Sequence, residues 1–510
     1  MDSRRIPSVA EWYHEETKYL PSTLGLLPRP DPDQQPLPWK QWHSPQPIDL
    51  VPYLPFPEFP LGPAADQQPV DSESLSQFVG ALSRMLYFTN GATGILESSD
   101  GEYHQIFRAA PSAGALYPTD ITLALRGIRG LEDGLFAYSV LHHQLVPLFD
   151  GDALPGIASA CWDHPAFDGI DAAAILSGVW LRSRWRYHDR AYRRILLDTG
   201  HVLGNLVHAA GQEGLQAVPL AGFEDSSLQN LMFLDDQEEG VLVVVPLCRS
   251  ATPGPAADLS ASVRRSEPSQ APPDLDDDVM LALHSASSID GDTAVVSPPD
   301  ASSASGATTA GEHQVISLED TLSDLSRDFP RIIVGRRSTR QFTGAMIDRH
   351  DMARVLDFAH RFASPGPVRY LSAGSALQIH VVTHRVRGIE SGVWRYLVPD
   401  HQLQLVSAGE VHPQVQEACL GQELAGDAAC LVVYSADLPA AVEIWGDRAY
   451  RYLHLDAGFL GQQLNLACVH QQLGVSGIAG FFDDAWNKLL QLPHDHAITY
   501  VTAIGDAAAG

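Results

Sequence analysis

The chain contains its own sequence twice. Residues 192–232, YRRILLDTGHVLGNLVHAAGQEGLQAVPLAGFEDSSLQNLM, align without a gap on residues 450–490, YRYLHLDAGFLGQQLNLACVHQQLGVSGIAGFFDDAWNKLL, and roughly a third of the positions are identical. Nearly the same offset pairs GLEDGLFAY with GIESGVWRY, HHQLVPL with DHQLQLV, AAAILSGVW with AACLVVYSA, and Ser112-Ala113-Gly114 with Ser372-Ala373-Gly374. Two related halves on one chain can cover each other's apolar helix faces, so the simplest outcome is an intramolecular pseudo-dimer.

The repeat sets the domain plan: a first half at 1–248, a connector at 249–315 and a second half at 316–510. The connector is rich in Pro, Ser and Ala and has little to bury. Within it, the apolar spacing of LDDDVMLALHSASS predicts one short helix over 275–288. Each half reads as a helix, three strands (ITLALRGI, GLFAYSV, QLVPL; then LQIHVVTHRV, GVWRYL, QLQLV), a further strand, a long helix from residue 190 or 448, and a closing strand. The long helix has apolar residues on more than one face, as a buried or interface helix does. Mixed order around a central helix makes the fold class α+β.

Charge narrows the partners. A net charge of −29 repels phosphate backbones and anionic lipid, so neither nucleic acid nor membrane is expected as a partner. The five cysteines are scattered without metal-type spacing, so we expect reduced, core-packed thiols and no metal site. Runs such as GVLVVVPLC are too short to span a bilayer and no leader-like segment opens the sequence, so the expected location is cytoplasmic.

Two elements carry chemistry. In RRSTRQF, an extended backbone projects Arg336, Ser338 and Arg340 together, with Arg337 at the turn; this is either a phosphate clamp or a solvated basic turn. Aligning VDSESLSQFV with IDRHDMARVL puts FPLGP, residues 59–63, at the equivalent place, with no basic residue. The first half keeps instead the fuller turn PSAGALYP, where the second has SAGSALQ. Complementary loss of this kind fits one composite site shared by both halves.

On these residues the chain resembles the FMN-dependent nitroreductase superfamily, most closely its SagB/ThcOx-type dehydrogenases. RRSTRQF is similar to that superfamily's flavin-phosphate motif and APSAGALYP to its proline-serine turn. VPLAGF and SGIAGF are similar to the segment that meets the flavin, and EWYHEETKY and RAYRRILLDTGHVLGNL to SagB/ThcOx-type sequence. The resemblance implies a nitroreductase-like fold, and FMN held by Arg336, Arg337, Ser338 and Arg340, with Ile478, Ala479 and Gly480 facing it. Pro111, Ser112, Ala113 and Gly114 would approach from the other half, where small residues admit backbone N–H groups close to a flat ring. With FPLGP lacking donors, one FMN per chain is expected.

The resemblance also implies a flavin oxidoreductase with NAD(P)H as candidate electron donor and a small-molecule or modified-peptide substrate. Azoline-oxidising members carry a Lys-Tyr pair where this chain has Arg186-Tyr187 and, in the second copy, Ile444-Trp445. Arginine does not deprotonate near neutrality but steadies a developing anion; Tyr187 is either the acid or base or a packed aromatic. His201, replaced by Phe459 in the second copy, reads as a core or interface histidine. A reading from another class is a scaffold subunit of a peptide-modifying assembly, with weak or no flavin chemistry.

Overall fold

The computed structural model describes residues 6–42, 44, 46–55, 77–97, 104–249, 263–270, 278–291, 314–319, 321, 325, 327–361 and 376–508. FPLGP and Ser372-Ala373-Gly374 lie outside the described residues.

Each half builds a seven-stranded sheet, and the two sheets have the same strand order. Across the first run Ile48–Asp49, Gln144–Asp150, Gly134–Ser139, Thr119–Leu125, Ala172–Val179, Glu239–Arg249 and Leu215–Ala217, every neighbour antiparallel. Across the second run Val315–Ser317, Gln402–Ala408, Gly392–Leu397, Leu377–Thr383, Cys430–Asp437, His496–Gly505 and Gly474–Ile478, again all antiparallel. The β-branched and aromatic runs legible in the sequence form the central strands, because those residues suit a pleat buried on both faces.

The long helices, Ala191–Gln212 and Ala449–His470, are buried over nearly their whole length and pack on each other. They cross at paired glycines. A Cβ on Gly458 would collide with the Leu197 carbonyl oxygen, and one on Gly200 would sit 2.7 Å from the Phe459 nitrogen, so this approach tolerates no side chain. Apolar residues of both helices, including Leu197, Leu203, Leu455 and Leu460, belong to one continuous core that runs through both halves. Each half adds a smaller apolar cluster of its own. The fold is therefore the duplicated α+β pseudo-dimer the repeat implies.

A second duplication is less visible in the sequence. The helix Val9–Glu16, closed at its start by a reciprocal Ser8–Glu11 capping box, has a structural counterpart in Val279–Ala286, which lies in the stretch read as connector. His14 Nδ1 lies 3.2 Å from the Tyr450 hydroxyl, and His284 Nδ1 lies 3.0 Å from the hydroxyl of Tyr192, the repeat partner of Tyr450. Arg193 donates to the His14 carbonyl at 2.7 Å and Arg451 to the His284 carbonyl at 2.8 Å. Beneath each helix lies a buried carboxylate between two arginines: Asp483 with Arg190 and Arg193, and Asp225 with Arg448 and Arg451. Part of the connector is thus the leading helix of the second copy.

Candidate functional site

The short helix Phe329–Gly335 delivers Arg336 in extended backbone, φ −64° and ψ 123°. Its side chain is buried and crosses the seam, donating from Nε to the Ala109 carbonyl at 2.8 Å and from Nη2 to the Arg108 carbonyl at 3.1 Å. Those carbonyls sit immediately before the Pro111–Gly114 turn, so the cationic element of one half meets the small-residue turn of the other. Arg336 Nη1 is buried without a hydrogen-bond partner. Burial lowers the guanidinium's pKa to about 10, which leaves it charged at neutral pH. Ser338 is half-buried and Arg340 exposed, and Arg340 is close enough to act electrostatically on Arg336.

Arg337 behaves differently. It donates to the Thr93 carbonyl at 2.9 Å, to the Val334 carbonyl at 3.1 Å and to the Arg336 carbonyl at 2.7 Å, with its guanidinium 5.4 Å from the Phe107 ring centroid. Its work is to tie the second half to the hairpin Ala92–Glu97/His104–Arg108 of the first.

The turn is organised by a carboxylate that the sequence reading did not single out. Ser112 Oγ donates to Asp198 Oδ2 at 2.5 Å, the Ala113 amide donates to the same carboxylate at 3.2 Å, and the Tyr117 amide donates back to Ser112 Oγ at 2.8 Å. The Ala113 amide is therefore engaged by Asp198 and does not stand open to a flat ring. Burial pushes the Asp198 carboxyl up to about 7, against the opposing pull of Ser112, Ala113 and Arg194. Gly114 has φ +67°, and a Cβ there would stand 2.8 Å from the Tyr187 hydroxyl and 3.4 Å from Arg186 Cδ. That close approach, together with the left-handed backbone, is why glycine occupies the position. Tyr187 thus lies on the turn, its pKa raised chiefly by burial, while Arg186 is exposed.

The third predicted segment divides. Ile478 points into the second half's own apolar cluster, Ala479 packs against the shared core, and Gly480 faces the seam, where a Cβ would lie 3.8 Å from Arg194 Nη2. Between these elements runs a polar chain: Tyr500 Oη to His201 Nε2 at 2.9 Å, His201 Nδ1 to Gln462 Oε1 at 3.0 Å, and Gln462 Nε2 to Asn205 Oδ1 at 2.6 Å. Burial lowers His201 to about 4, so it is a neutral interface histidine, in line with its replacement by Phe459. Asp198, Arg194 and Tyr500 escaped the sequence reading. The signal was present in the repeat, where Arg194 pairs with Tyr452 and Tyr500 with Leu242, while Asp198 pairs with Asp456.

The mirror position is built otherwise. Trp445 and Tyr452 replace Tyr187 and Arg194, and the connector lies against them. The Tyr452 hydroxyl donates to the Arg264 carbonyl at 2.9 Å and lies 3.2 Å from the Arg264 amide, and the Ser266 amide donates to the Trp445 carbonyl at 3.1 Å. All five cysteines are free and four are buried. Among the described residues there is no group of three or more His, Cys, Asp or Glu side chains able to hold a metal ion, and no helix long and apolar enough to cross a membrane.

Comparison with known proteins agrees with this architecture. The sequence model of the nitroreductase family matches twice, at residues 64–247 and 333–506. A solved structure of a "putative nitroreductase" from Anabaena variabilis superposes with a TM-score of 0.85 at 32% identity, covering 98% of this chain and 100% of that one. The "Putative nitroreductase MJ1384" of Methanocaldococcus jannaschii is 24% identical over 164 residues, 32% of this chain and 83% of that protein. The microcin B17-processing protein McbC of Escherichia coli is 29% identical over 147 residues, 27% of this chain and 52% of McbC, so the match spans about half of McbC's length. With the family matched in both halves and one solved relative followed end to end, the chain belongs to the nitroreductase family, carrying two of its domains in tandem.

Proposed function

We propose that the chain is an FMN-dependent oxidoreductase with one composite flavin site on the seam between its halves, acting on a small organic or peptide-borne heterocyclic substrate. One observation carries this: Arg336 of the second half is anchored on the carbonyls that lead into the Pro111–Gly114 turn of the first, with Nη1 buried and unpartnered. A buried guanidinium nitrogen without an acceptor costs free energy that a bound anionic or carbonyl-rich group recovers. The residues therefore fit a flavin mononucleotide, with Arg336, Ser338 and Arg340 as the polar grip and Gly480 and the Gly114 turn as the close-approach walls.

Bound there, the flavin supplies two-electron transfer. The chain's own residues supply the rest. The Tyr187 hydroxyl, whose pKa burial moves further above neutrality, is protonated at neutral pH, so its role is proton donation at Oη, next to Gly114. Arg186 holds positive charge at the rim of the turn. Asp198 fixes the turn through Ser112 and Ala113, and with a pKa of about 7 it exchanges a proton near neutrality. NAD(P)H is the electron donor to try first.

The test is flavin stoichiometry. Purified wild type should hold one FMN per chain, bleach with dithionite or NAD(P)H and recover in air, while Ser338→Ala/Arg340→Ala should lose the flavin without unfolding, since Arg340 is exposed and Ser338 only half-buried. Two FMN per chain would overturn the composite site. The engagement of Ser112 and Ala113 by Asp198 favours the scaffold reading, and a chain that stays colourless in excess FMN would establish it over the enzyme.

A further inference from the structure

Arg194 differs from the other buried arginines of the seam helices. Arg190, Arg193, Arg448 and Arg451 each face a carboxylate within 3 Å, whereas Arg194, 4% exposed, forms no ion pair among the described residues. Among the described residues its side chain donates one hydrogen bond, from Nη2 to the Tyr19 hydroxyl at 3.2 Å, and Nη1 is buried without a partner. The guanidinium lies 3.8 Å from the centroid of the Tyr187 ring and 5.8 Å from that of Tyr19. Across the seam, Gly480 lies close to Nη2, with the Leu420 side chain beside them.

The Asp198 carboxyl feels the Arg194 charge but is engaged by Ser112 and Ala113 and makes no ion pair with Arg194, and a buried guanidinium nitrogen left without an acceptor is costly unless an anion completes it. Aromatic flanks offset part of that cost and orient the group, but they supply no negative charge. The other end of the seam already has the donor set suited to a phosphate, in Arg336, Ser338 and Arg340. Arg194 offers one unpartnered nitrogen, with the Tyr19 hydroxyl on Nη2 and the Tyr187 ring against the guanidinium, a set matched to a monoanion. The second half gives a control built into the chain, for at the equivalent position tyrosine replaces the arginine, and Tyr452 spends its hydroxyl on the Arg264 backbone.

We propose that Arg194, with Tyr19 and Tyr187, is the binding site for the carboxylate of the substrate, so that the seam accepts organic carboxylates in preference to their neutral amides. Tyr19, half-buried on the segment following the helix Val9–Glu16, accepts from Arg194 Nη2 and keeps its own hydroxyl proton for the carboxylate. This assignment rests on the flavin site above for its redox meaning, but the anion recognition stands on Arg194 alone.

The test uses the full chain with benzoate and benzamide as probes, measured by calorimetric titration, with flavin content read separately from absorbance. Wild type should bind benzoate at least about tenfold more tightly than benzamide. Arg194→Gln and Arg194→Tyr should erase that preference while leaving flavin content unchanged. The tyrosine variant copies what the second half already carries at Tyr452, which guards against a mere folding failure. Equal affinity for the two probes in wild type, or a preference that survives both substitutions, overturns the proposal. So does loss of flavin in the variants with the preference intact, which would assign Arg194 to the cofactor. A flavin-free chain that still shows an Arg194-dependent preference would sink the enzyme reading and leave the carboxylate site standing.

Discussion

Asp198 shows how a single buried group links stability to pH. Burial raises its carboxyl from the ordinary 3.8 to about 7. A carboxyl raised in the folded state contributes stability that is fully present below the unfolded pKa and is lost as pH climbs through the folded one. Over that window the loss is on the order of 4 kcal/mol. Asp198→Asn should therefore flatten the pH dependence: compared with wild type, the variant should be relatively more stable at about pH 8 than at about pH 5 by urea denaturation. Parallel curves for the two proteins would show that the carboxyl is not shifted. Asp483 works in the opposite sense. Burial pushes it up, but Arg190, Arg193 and His14 outweigh burial and hold it well below the usual carboxylate range. Its contribution is present above about pH 4 and disappears as pH falls further. Replacing it with Asn strands two buried guanidiniums, and a loss of about 3–5 kcal/mol is expected. These residues also mark where sequence reading stopped. Arg336 was legible because its motif is local, whereas Asp198 and Arg194 take their meaning from a turn and a loop distant along the chain, which no spacing rule reaches.

At the level of elements, the crossing of the two long helices depends on Gly200 and Gly458. Gly458→Ala would drive a methyl into the Leu197 backbone, which cannot step aside as a flexible side chain can. We expect at least about 1–3 kcal/mol of destabilisation by overpacking, seen as a lower melting temperature, together with weaker flavin retention as the seam widens. An unchanged melting temperature would mean that the helices cross elsewhere. The central strands were readable from apolar periodicity within three residues, and the starts of both long helices within one. The edge strands Leu215–Ala217 and Gly474–Ile478 were not, because glycine and polar residues interrupt them and only pairing with the closing strand makes them strands. The kinship of Val9–Glu16 with Val279–Ala286 was hidden for another reason. The two share little beyond a histidine, and their resemblance lies in what each histidine reaches, Tyr450 in one case and Tyr192 in the other.

For the whole molecule, one apolar core threads both halves, so the halves are expected to melt together. Calorimetry should show a single cooperative transition, and two resolved transitions would indicate that each half is stable alone. The leading helices strengthen that coupling, since Val9–Glu16 is held in part by Tyr450 and Asp447 of the opposite half.

Fusion of the two halves into one polypeptide has a genetic corollary. In an assembly of two identical subunits every codon is read out at both crevices, so a change that sharpens one necessarily alters its twin. Here Arg194 and Tyr452 occupy corresponding places yet are separately encoded, and selection can refine one pocket while the other is freed for packing against the connector. Mutagenesis inherits the same benefit: a substitution in this chain addresses a single face of the pseudo-symmetric pair, with its untouched relative retained as an internal reference.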